Sequence, residues 1–536
     1  MHHQALRSFL LPAALCAVLV NSNPIEHREP TVTTPPTLHD AALRRRDVKS
    51  DIESGFSDIT GALASDVGSA LSAIGSDVPS FVASGIPAWY TGIPDGPEAV
   101  QSSLGIDDDQ VAALPTNALN MDPYAHYTDE GWQIRFRGFV YKQPNATEEK
   151  LNDLANIFFV GEKVEDLPQN EQENARNVTA EIFVLLQGDV NVSSIHIEPA
   201  ESQGGDGEQG GGGAVTPNGG TQDVTLPDPT TAEGDFDVFV PINSNGLARG
   251  NETNQVQRLN TFISNTTLGN GTAYLVPNEG ITVISDIDDI LRVTRIWQPE
   301  DGLIRRTFAE PFEPWEEMPV VYRNWSQSID GIHFHYLTTT PEQITRTYMQ
   351  FIYTNYPGGS FDTRPLNFSN IDETLSVRKY LLDKVFQAFP QRKFVLMADT
   401  SNSDVMKDYP QLAHDYPDQV QCIFLRNTTA TDDTDNFPYD TSGFEGLNQR
   451  SYMFFVNSED LMNLDIANGQ CYNTSVAQNL TFGYQGLPLG IGDKGPVNGS
   501  ANNDTGAASG LVMEGGSRMM TAVTASVLGF LLLQLL

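Results

Sequence analysis

From residue 281 onward, short apolar strands alternate with longer amphipathic helices, and this alternation limits the possible folds more than any other feature of the chain. Apolar runs suited to strands lie at 281–284, 332–337, 394–398 and 420–425. Helical patterns lie between them at about 341–353, 374–389 and 404–415. Alternation of this kind predicts an α/β fold with a parallel sheet covered by helices. Ligands of such sheets bind at the carboxyl ends of the strands.

The first of these strands runs directly into an acidic turn, Ser285-Asp286-Ile287-Asp288-Asp289. Carboxylates this close together repel each other unless a cation lies among them. Mg²⁺ is commonly held by a few carboxylates together with a substrate phosphate, and a carboxylate can also attack phosphorus. Taken alone, the turn is equally well explained as a helix cap or a structural ion site.

Two further strands of the series also end in polar residues. The second strand is followed by threonines that begin at Thr338, and the third by Asp399, with Asp404 shortly after. A hydroxyl between a strand and a helix is suited to a phosphate oxygen, although Thr340 before Pro341 would also serve as a helix N-cap. Together the three strand ends supply the residue types that metal-assisted phosphoryl transfer requires.

The order and spacing of these motifs resemble the haloacid dehalogenase (HAD) superfamily. Within it, they resemble the catalytic domain of the fungal actin-patch phosphatidate phosphatases. The motifs that carry the resemblance are 285–290, 336–341 and 394–400, and it extends over about 281–430. The resemblance implies a HAD-like, Rossmann-type parallel sheet. It also implies a Mg²⁺-dependent conversion of phosphatidate to diacylglycerol through an aspartyl-phosphate.

The resemblance also implies individual roles for residues of this chain. Asp286 would attack phosphorus, and Asp288 would be the general acid and base. Mg²⁺ would be held by Asp286, the backbone carbonyl of Asp288 and Asp399, with Asp404 nearby. Thr338 would orient the phosphoryl group.

A cation should also neutralise the phosphate, and both Arg378 and Lys379 lie at a suitable place before the third strand. The chain departs from the family's residues at Ile290, where the family has threonine, and at Ala398, where it has glycine. These departures keep a second hypothesis open, a catalytically weak or inactive cell-surface glycoprotein that uses the same fold for cell-wall or partner binding. A third hypothesis is a phosphatase for soluble or protein-bound phosphomonoesters.

The region before the parallel sheet, 120–280, shows the period-two alternation of half-buried strands. The clearest examples are 132–137, 180–184 and 235–240. Such short alternating segments predict an antiparallel, sandwich-like β-rich domain. The Gly-rich, acidic stretch 201–223 is expected to be a flexible insertion between strands. The catalytic domain is then expected to occupy 281–475.

Both ends of the chain have the composition of targeting segments. The apolar run 9–20 predicts a signal peptide over 1–22. The basic run 44–46 is either a solvated charge cluster or the end of a propeptide spanning 23–46. An amphipathic, low-complexity segment follows at 47–105. A glycosylated linker with small residues (476–518) precedes an apolar tail (519–536), which predicts a GPI anchor or, alternatively, an ordinary membrane anchor.

Further features agree with the secretory pathway and the cell surface, with the protein attached to the plasma membrane or cell wall through a GPI anchor. Asn-x-Ser/Thr sequons recur from Asn145 to Asn503. After removal of the signal peptide, Cys422 and Cys471 remain, either as one disulfide or as two buried thiols. The net charge of -38 argues against nucleic acid and simple docking on anionic lipid. The expected partners are therefore a phospholipid or other phosphomonoester substrate and, through the anchor, a membrane.

Overall fold

A computed structural model describes residues 96–159, 162–200, 214–295, 305–341, 344–364, 377–401, 403–432 and 441–478. The predicted signal peptide, propeptide and C-terminal tail lie outside these residues, as do most of 47–105, nearly all of 476–518 and the Gly-rich part of the insertion. In the part of the chain that is described, no helix is both long enough and apolar enough to cross a bilayer.

The chain forms two sheets, which we label by their strands in order of sequence. The strands are β1 Thr116–Asn120, β2 Tyr124–Thr128, β3 Gly131–Lys142, β4 Leu185–Leu186, β5 Ile195–Pro199, β6 Gln222–Val224, β7 Asp235–Pro241, β8 Gln257–Ile263, β9 Asn270–Leu275, β10 Ile281–Ser285, β11 His333–Pro341, β12 Ser360–Arg364, β13 Lys393–Asp399, β14 Val420–Arg426 and β15 Tyr452–Phe455. The helices are α1 Gly96–Leu104, α2 Asp108–Ala113, α3 Glu148–Ala155, α4 Gln169–Ile182, α5 Arg305–Phe308, α6 Met318–Ser328, α7 Thr345–Asn355, α8 Val377–Ala388 and α9 Ser403–Asp415.

The predicted parallel sheet is confirmed. It has six strands in the order β12-β11-β10-β13-β14-β15, and every neighbouring pair is parallel. The four predicted strands appear as β10, β11, β13 and β14, and the three predicted helices as α7, α8 and α9. Strands β12 and β15 extend the sheet at its two edges and were not predicted.

Strand β10 lies in the middle of this sheet because both of its faces are apolar. All five of its residues are buried, as expected for a strand that is covered on both sides. Val283 belongs to the core cluster that contains Trp325 of α6. Ile284 belongs to the cluster on the other face, which contains Leu382 of α8. The two helix layers therefore hold the end of β10 in a fixed position.

The predicted antiparallel sandwich is wrong in its connectivity. The β-rich region forms one nine-stranded sheet in the order β1-β3-β2-β9-β8-β5-β6, with β4 and β7 also paired to β3. The sheet is mixed, because β2 and β9 are parallel. Trp132 of β3 and Leu259 of β8 share one core cluster although their strands are not neighbours, so the sheet wraps around its own core. Alternation identifies buried faces, but it does not determine which strands pair.

Two local predictions in this region are also corrected. The alternating stretch 180–184 begins in helix α4, whose buried residues include Ala175, Val178 and Glu181 at helical spacing. Five alternating residues are too few to separate the two periods. Strand β6 begins at Gln222 and pairs with β5, so the end of the predicted insertion 201–223 is part of the sheet.

The two sheets meet at a buried group of charged side chains. Asp362 of β12 accepts a hydrogen bond from Arg135 at 2.6 Å and is also bound by Arg137. Arg135 donates two further hydrogen bonds to Asp237 of β7, at 2.7 and 2.8 Å. Asp237 in turn binds Lys384 of α8 at 2.7 Å. The nine-stranded sheet thus contacts both the edge strand and a covering helix of the parallel sheet.

The two cysteines expected to remain after signal-peptide removal form a disulfide and are not free thiols. Cys422 of β14 is bonded to Cys471, with their Cα atoms 5.2 Å apart. The bond attaches the segment after β15 to the interior of the parallel sheet.

Candidate active site

The carboxyl ends of β10 and β13 and the second half of β11 bring Asp286, Asp399 and Thr338 to one edge of the parallel sheet. All three residues are buried. Strand β11 continues to Pro341, past its predicted end at 337, so Thr340 is within the strand and not a helix N-cap. The backbone N–H of Asp286 donates to the carbonyl of Met397 at 2.8 Å, which ties the start of the acidic turn to β13. The predicted convergence of these strand ends is therefore present in the structure. Asp404 lies in the first turn of α9, but its side chain is outside the described residues.

The structure separates the two candidate cations. Arg378, in the first turn of α8, is buried, and its Nη2 lies 2.9 Å from Asp286 Oδ2. Lys379 is partly exposed and pairs with Asp383 at 2.8 Å and with Asp415 at 3.9 Å. A helix turns by about 100° per residue, so neighbouring side chains face different surroundings. Arg378 therefore belongs to the site, and Lys379 lies on the surface of the helix.

Asp288 is held by three side chains that the sequence did not reveal. The hydroxyl of Tyr348 lies 3.0 and 2.8 Å from its two carboxylate oxygens. Thr294 Oγ1 donates to Oδ1 at 2.7 Å, and Arg292 Nη1 lies 3.6 Å from the same oxygen. The side chain of Asp288 is 20% exposed, so solvent reaches it while these three side chains restrict its orientation.

Asp289 is buried and supports the turn. Its backbone has a φ of 54°, a left-handed conformation that Asp tolerates better than most residues. Its Oδ1 accepts the backbone N–H groups of Thr294 and Arg295 at 3.0 and 2.7 Å. Arg426, at the end of β14, donates to its carbonyl at 2.5 Å and lies 3.9 Å from its carboxylate. Asp289 thereby fixes the segment that places Thr294 next to Asp288.

Each carboxylate of the turn thus has its own guanidinium neighbour. The pairs are Asp286 with Arg378, Asp288 with Arg292 and Asp289 with Arg426. Burial, and then the charges of Asp289 and Asp286, raise the pKa of Asp399 well above its usual value, against two hydrogen bonds from Ser401 that lower it. Asp399 is therefore both buried and close to two negative charges.

The donor chemistry fits a hard divalent cation. A cation beside Asp399 would relieve its repulsion from Asp286 and Asp289, and carboxylate and carbonyl oxygens are the ligands that Mg²⁺ prefers. The described ranges contain no group of three or more His, Cys, Asp or Glu side chains arranged to hold a metal ion. Of the predicted set of Asp286, the carbonyl of Asp288, Asp399 and the nearby Asp404, that search covers the side chains of Asp286 and Asp399 but not that of Asp404, which is outside the described residues. Mg²⁺ therefore stays a prediction that the donor types favour.

Ile290 and Ala398, the two residues that depart from the family's pattern, both pack in the hydrophobic core. Ile290 is fully buried in the cluster that contains Phe308 and Trp315. Ala398 is fully buried in the cluster on the opposite face of the sheet. Both apolar side chains are accommodated while Asp286 and Asp399 remain at their strand ends.

Comparison with known proteins agrees with this geometry and supports a phosphatase-like α/β domain. Residues 281–427 match the family model for the catalytic domain of phosphatidate phosphatase APP1. Over 153 residues the chain is 28% identical to phosphatidate phosphatase APP1 of Saccharomyces cerevisiae, covering 27% of this chain and 26% of that protein. The match therefore spans about a quarter of the relative's length. It supports the predicted resemblance of about 281–430 to the phosphatidate phosphatase catalytic domain and a phosphatase-like enzyme, while the HAD-like assignment stays a prediction.

Proposed function

We propose that this protein is a phosphomonoester hydrolase resembling phosphatidate phosphatase, which converts phosphatidate to diacylglycerol. The observation that carries the proposal is the 2.9 Å contact between Asp286, at the end of the central strand, and the buried Arg378. A carboxylate held at a strand end by a buried guanidinium is placed to receive a phosphoryl group whose oxygens the same guanidinium can bind. The match of 281–427 to the phosphatidate phosphatase family supports the substrate class.

The proposed reaction has two steps. In the first, a carboxylate oxygen of Asp286 bonds to phosphorus, the bond from phosphorus to the alkoxy oxygen breaks, and Asp288 gives its proton to the departing oxygen. In the second, water attacks the phosphorus and gives a proton to Asp288, while the acyl-phosphate bond breaks and frees Asp286 and inorganic phosphate. Arg378 and Thr338 hold the phosphoryl oxygens throughout.

Mg²⁺, held by Asp286, the carbonyl of Asp288 and Asp399 with Asp404 nearby, would supply positive charge that offsets the charge of the phosphate. Burial, and then the negative charges of Asp289 and Asp286, raise the pKa of Asp399, and a cation at this position would offset both effects.

We further propose that the protein acts in the secretory pathway or at the cell surface, attached by a GPI anchor. The disulfide between Cys422 and Cys471 supports an oxidising compartment. Several sequon asparagines are exposed, among them Asn191, Asn251 and Asn265, so they are accessible to glycosylation. The second candidate, a glycoprotein without turnover, is favoured by the changes at Ile290 and Ala398 and by the predicted glycosylation and anchor.

The proposal is tested by hydrolysis of phosphatidate in detergent micelles and of p-nitrophenyl phosphate by the purified protein, with and without Mg²⁺. Asp286→Asn should abolish phosphate release from both substrates. Asp330→Asn is the matched control, because Asp330 is exposed and precedes the amino end of β11. Turnover by Asp286→Asn equal to that of the wild type, or no turnover by a folded wild type, would overturn the proposal. Activity that is unaffected by chelation would remove Mg²⁺ from it.

A further inference from the structure

We infer that Tyr348 is a positioning residue that orients Asp288 for proton transfer to the leaving group. The inference rests on the proposed function and extends it to a residue of helix α7, outside the acidic turn and the strand ends. It also predicts for which substrates this residue matters.

The hydroxyl of Tyr348 contacts both oxygens of one carboxylate. The distances are 3.0 Å to Oδ1 and 2.8 Å to Oδ2 of Asp288. A donor centred on the two oxygens opposes rotation of the carboxylate about its last torsion, which is otherwise broad. Asp288 is also bound by Thr294 through Oδ1 only. Tyr348 is therefore the contact that fixes the carboxylate plane.

The ring of Tyr348 is itself fixed in the core. Its side chain is 1% exposed, and it packs edge-on against Phe312 with the ring centroids 5.4 Å apart. Arg292 lies over both rings, with its guanidinium carbon 3.4 Å from the Phe312 centroid and 5.3 Å from that of Tyr348. Because these contacts involve the ring and not the hydroxyl, replacement by phenylalanine should keep the packing.

Loss of the hydroxyl should free Asp288 to turn. The remaining neighbours, Thr294 and Arg292, both lie on the side of Oδ1, at 2.7 and 3.6 Å. The attraction of the buried guanidinium would then draw the carboxylate towards Arg292 and out of the plane that Tyr348 holds. The substitution keeps the contact between Asp286 and Arg378 at 2.9 Å, which involves neither the hydroxyl of Tyr348 nor the carboxylate of Asp288. The variant should therefore bind substrate normally and transfer the proton poorly.

This role depends on the leaving group. The alkoxide that departs from phosphatidate is strongly basic and needs a proton as the bond breaks, whereas p-nitrophenolate is stable without one. General acid catalysis is worth roughly 10²- to 10⁴-fold where it is needed. Misplacement of the acid should therefore slow the hydrolysis of phosphatidate strongly, that of phenyl phosphate less and that of p-nitrophenyl phosphate least.

The test compares Tyr348→Phe with Tyr336→Phe on these three substrates. Tyr336 is an equally buried tyrosine whose hydroxyl donates to the carbonyl of Pro357 at 2.6 Å, so both variants lose the hydroxyl group of a buried tyrosine. Tyr348→Phe should lower kcat for the most basic leaving group that the wild type accepts by about 10- to 100-fold with KM unchanged. The loss should shrink as the leaving group becomes more acidic. Tyr336→Phe should show no such trend.

A double variant separates positioning from general damage. In an Asp288→Asn background, Tyr348→Phe should cause no further loss, because the group that it orients has already been disabled. Equal losses on all substrates, a raised KM or additive losses in the double variant would overturn the inference and leave the proposed function intact. A folded wild type that hydrolyses none of the three substrates would overturn the proposed function and this inference with it.

Discussion

The buried guanidinium of Arg378 lies 2.9 Å from the carboxylate of Asp286, while the adjacent Lys379 pairs with Asp383 on the surface of the same helix. Two cations that are neighbours in sequence therefore differ completely in surroundings. The difference arises from the helix, which directs only one of them towards the end of β10. It provides an internal comparison for testing the site.

Replacement of Arg378 by methionine should lower turnover of phosphomonoesters by about 10²-fold or more, because a preorganised charge next to the transferred group is lost. Lys379→Met should retain activity within about twofold. Phosphate release by the two variants, compared with their thermal unfolding midpoints, is the measurement. Equal losses of activity would contradict the assignment of Arg378 to the site.

Removal of Arg135 should destabilise the protein without touching the site directly. Arg135→Met removes one cationic partner from each of two carboxylates at a buried junction, leaving Lys384 beside Asp237 and Arg137 beside Asp362. Breaking a buried ion pair commonly costs about 3–5 kcal/mol of unfolding free energy. The exposed pair of Arg249 and Glu252 offers the control, and Arg249→Met should cost less than about 1 kcal/mol. Urea unfolding of both variants would show whether the junction is stabilising.

Stability should fall as the pH is lowered, in part because of His335. Burial, followed by the charges of Arg135 and Arg137, lowers the pKa of His335 to about 3. The unfolded chain takes up a proton below about pH 6.5, whereas the folded chain does so only near pH 3. As the pH is lowered through most of that window, His335 therefore reduces the unfolding free energy by about 1.4 kcal/mol per pH unit.

His335→Gln should reduce the pH dependence of the unfolding free energy by that amount between about pH 5.5 and 4. The stability of the variant at pH 8, where His335 is neutral in both states, gives its packing cost separately. Asp122 acts in the opposite direction, because burial raises its pKa to about 7. Because Asp122 is present in both proteins, its contribution cancels when the variant is compared with the wild type. An unchanged slope would show that His335 is protonated in the folded protein.

Loss of the disulfide should destabilise the chain by about 2–4 kcal/mol, because the bond closes a long loop in the unfolded state. The cysteines are separated by 49 positions. Cys471→Ser and the reduced wild type should show the same lowered unfolding midpoint in urea. A reducing agent should not lower the midpoint of the variant further. A wild type that is insensitive to reduction would contradict a stabilising role.

The alternation of strands and helices after residue 281 predicted β10, β11, β13 and β14 because buried parallel strands are short apolar runs between helices. The edge strand β12 was not recognised because Asp362 and Thr363 interrupt its apolar character. Their partners Arg135 and Arg137 come from a distant part of the chain. Pairing of this kind is decided by tertiary contacts, and the same limit explains why one wrapped sheet was expected to be a sandwich.

For the site, the residues at strand ends were predicted and those that orient them were not. Arg426 ends β14 as Asp399 ends β13, so the same rule applied to the fourth strand would have found it. Tyr348 gave no signal, because an aromatic residue on the buried side of a helix is most often a core residue. Its function depends on where α7 packs.

The junction of Asp362 with Arg135 and Arg137 also determines what can be removed from the chain. The segment that matches the phosphatase family begins at residue 281, so a fragment with its borders would keep the carboxylate and lose both guanidinium groups. It would also lose β15, leaving β14 as a bare edge. The limits of the family match are therefore not suitable limits for a recombinant fragment. Fragments intended to report on catalysis should begin before β1 and extend past Cys471.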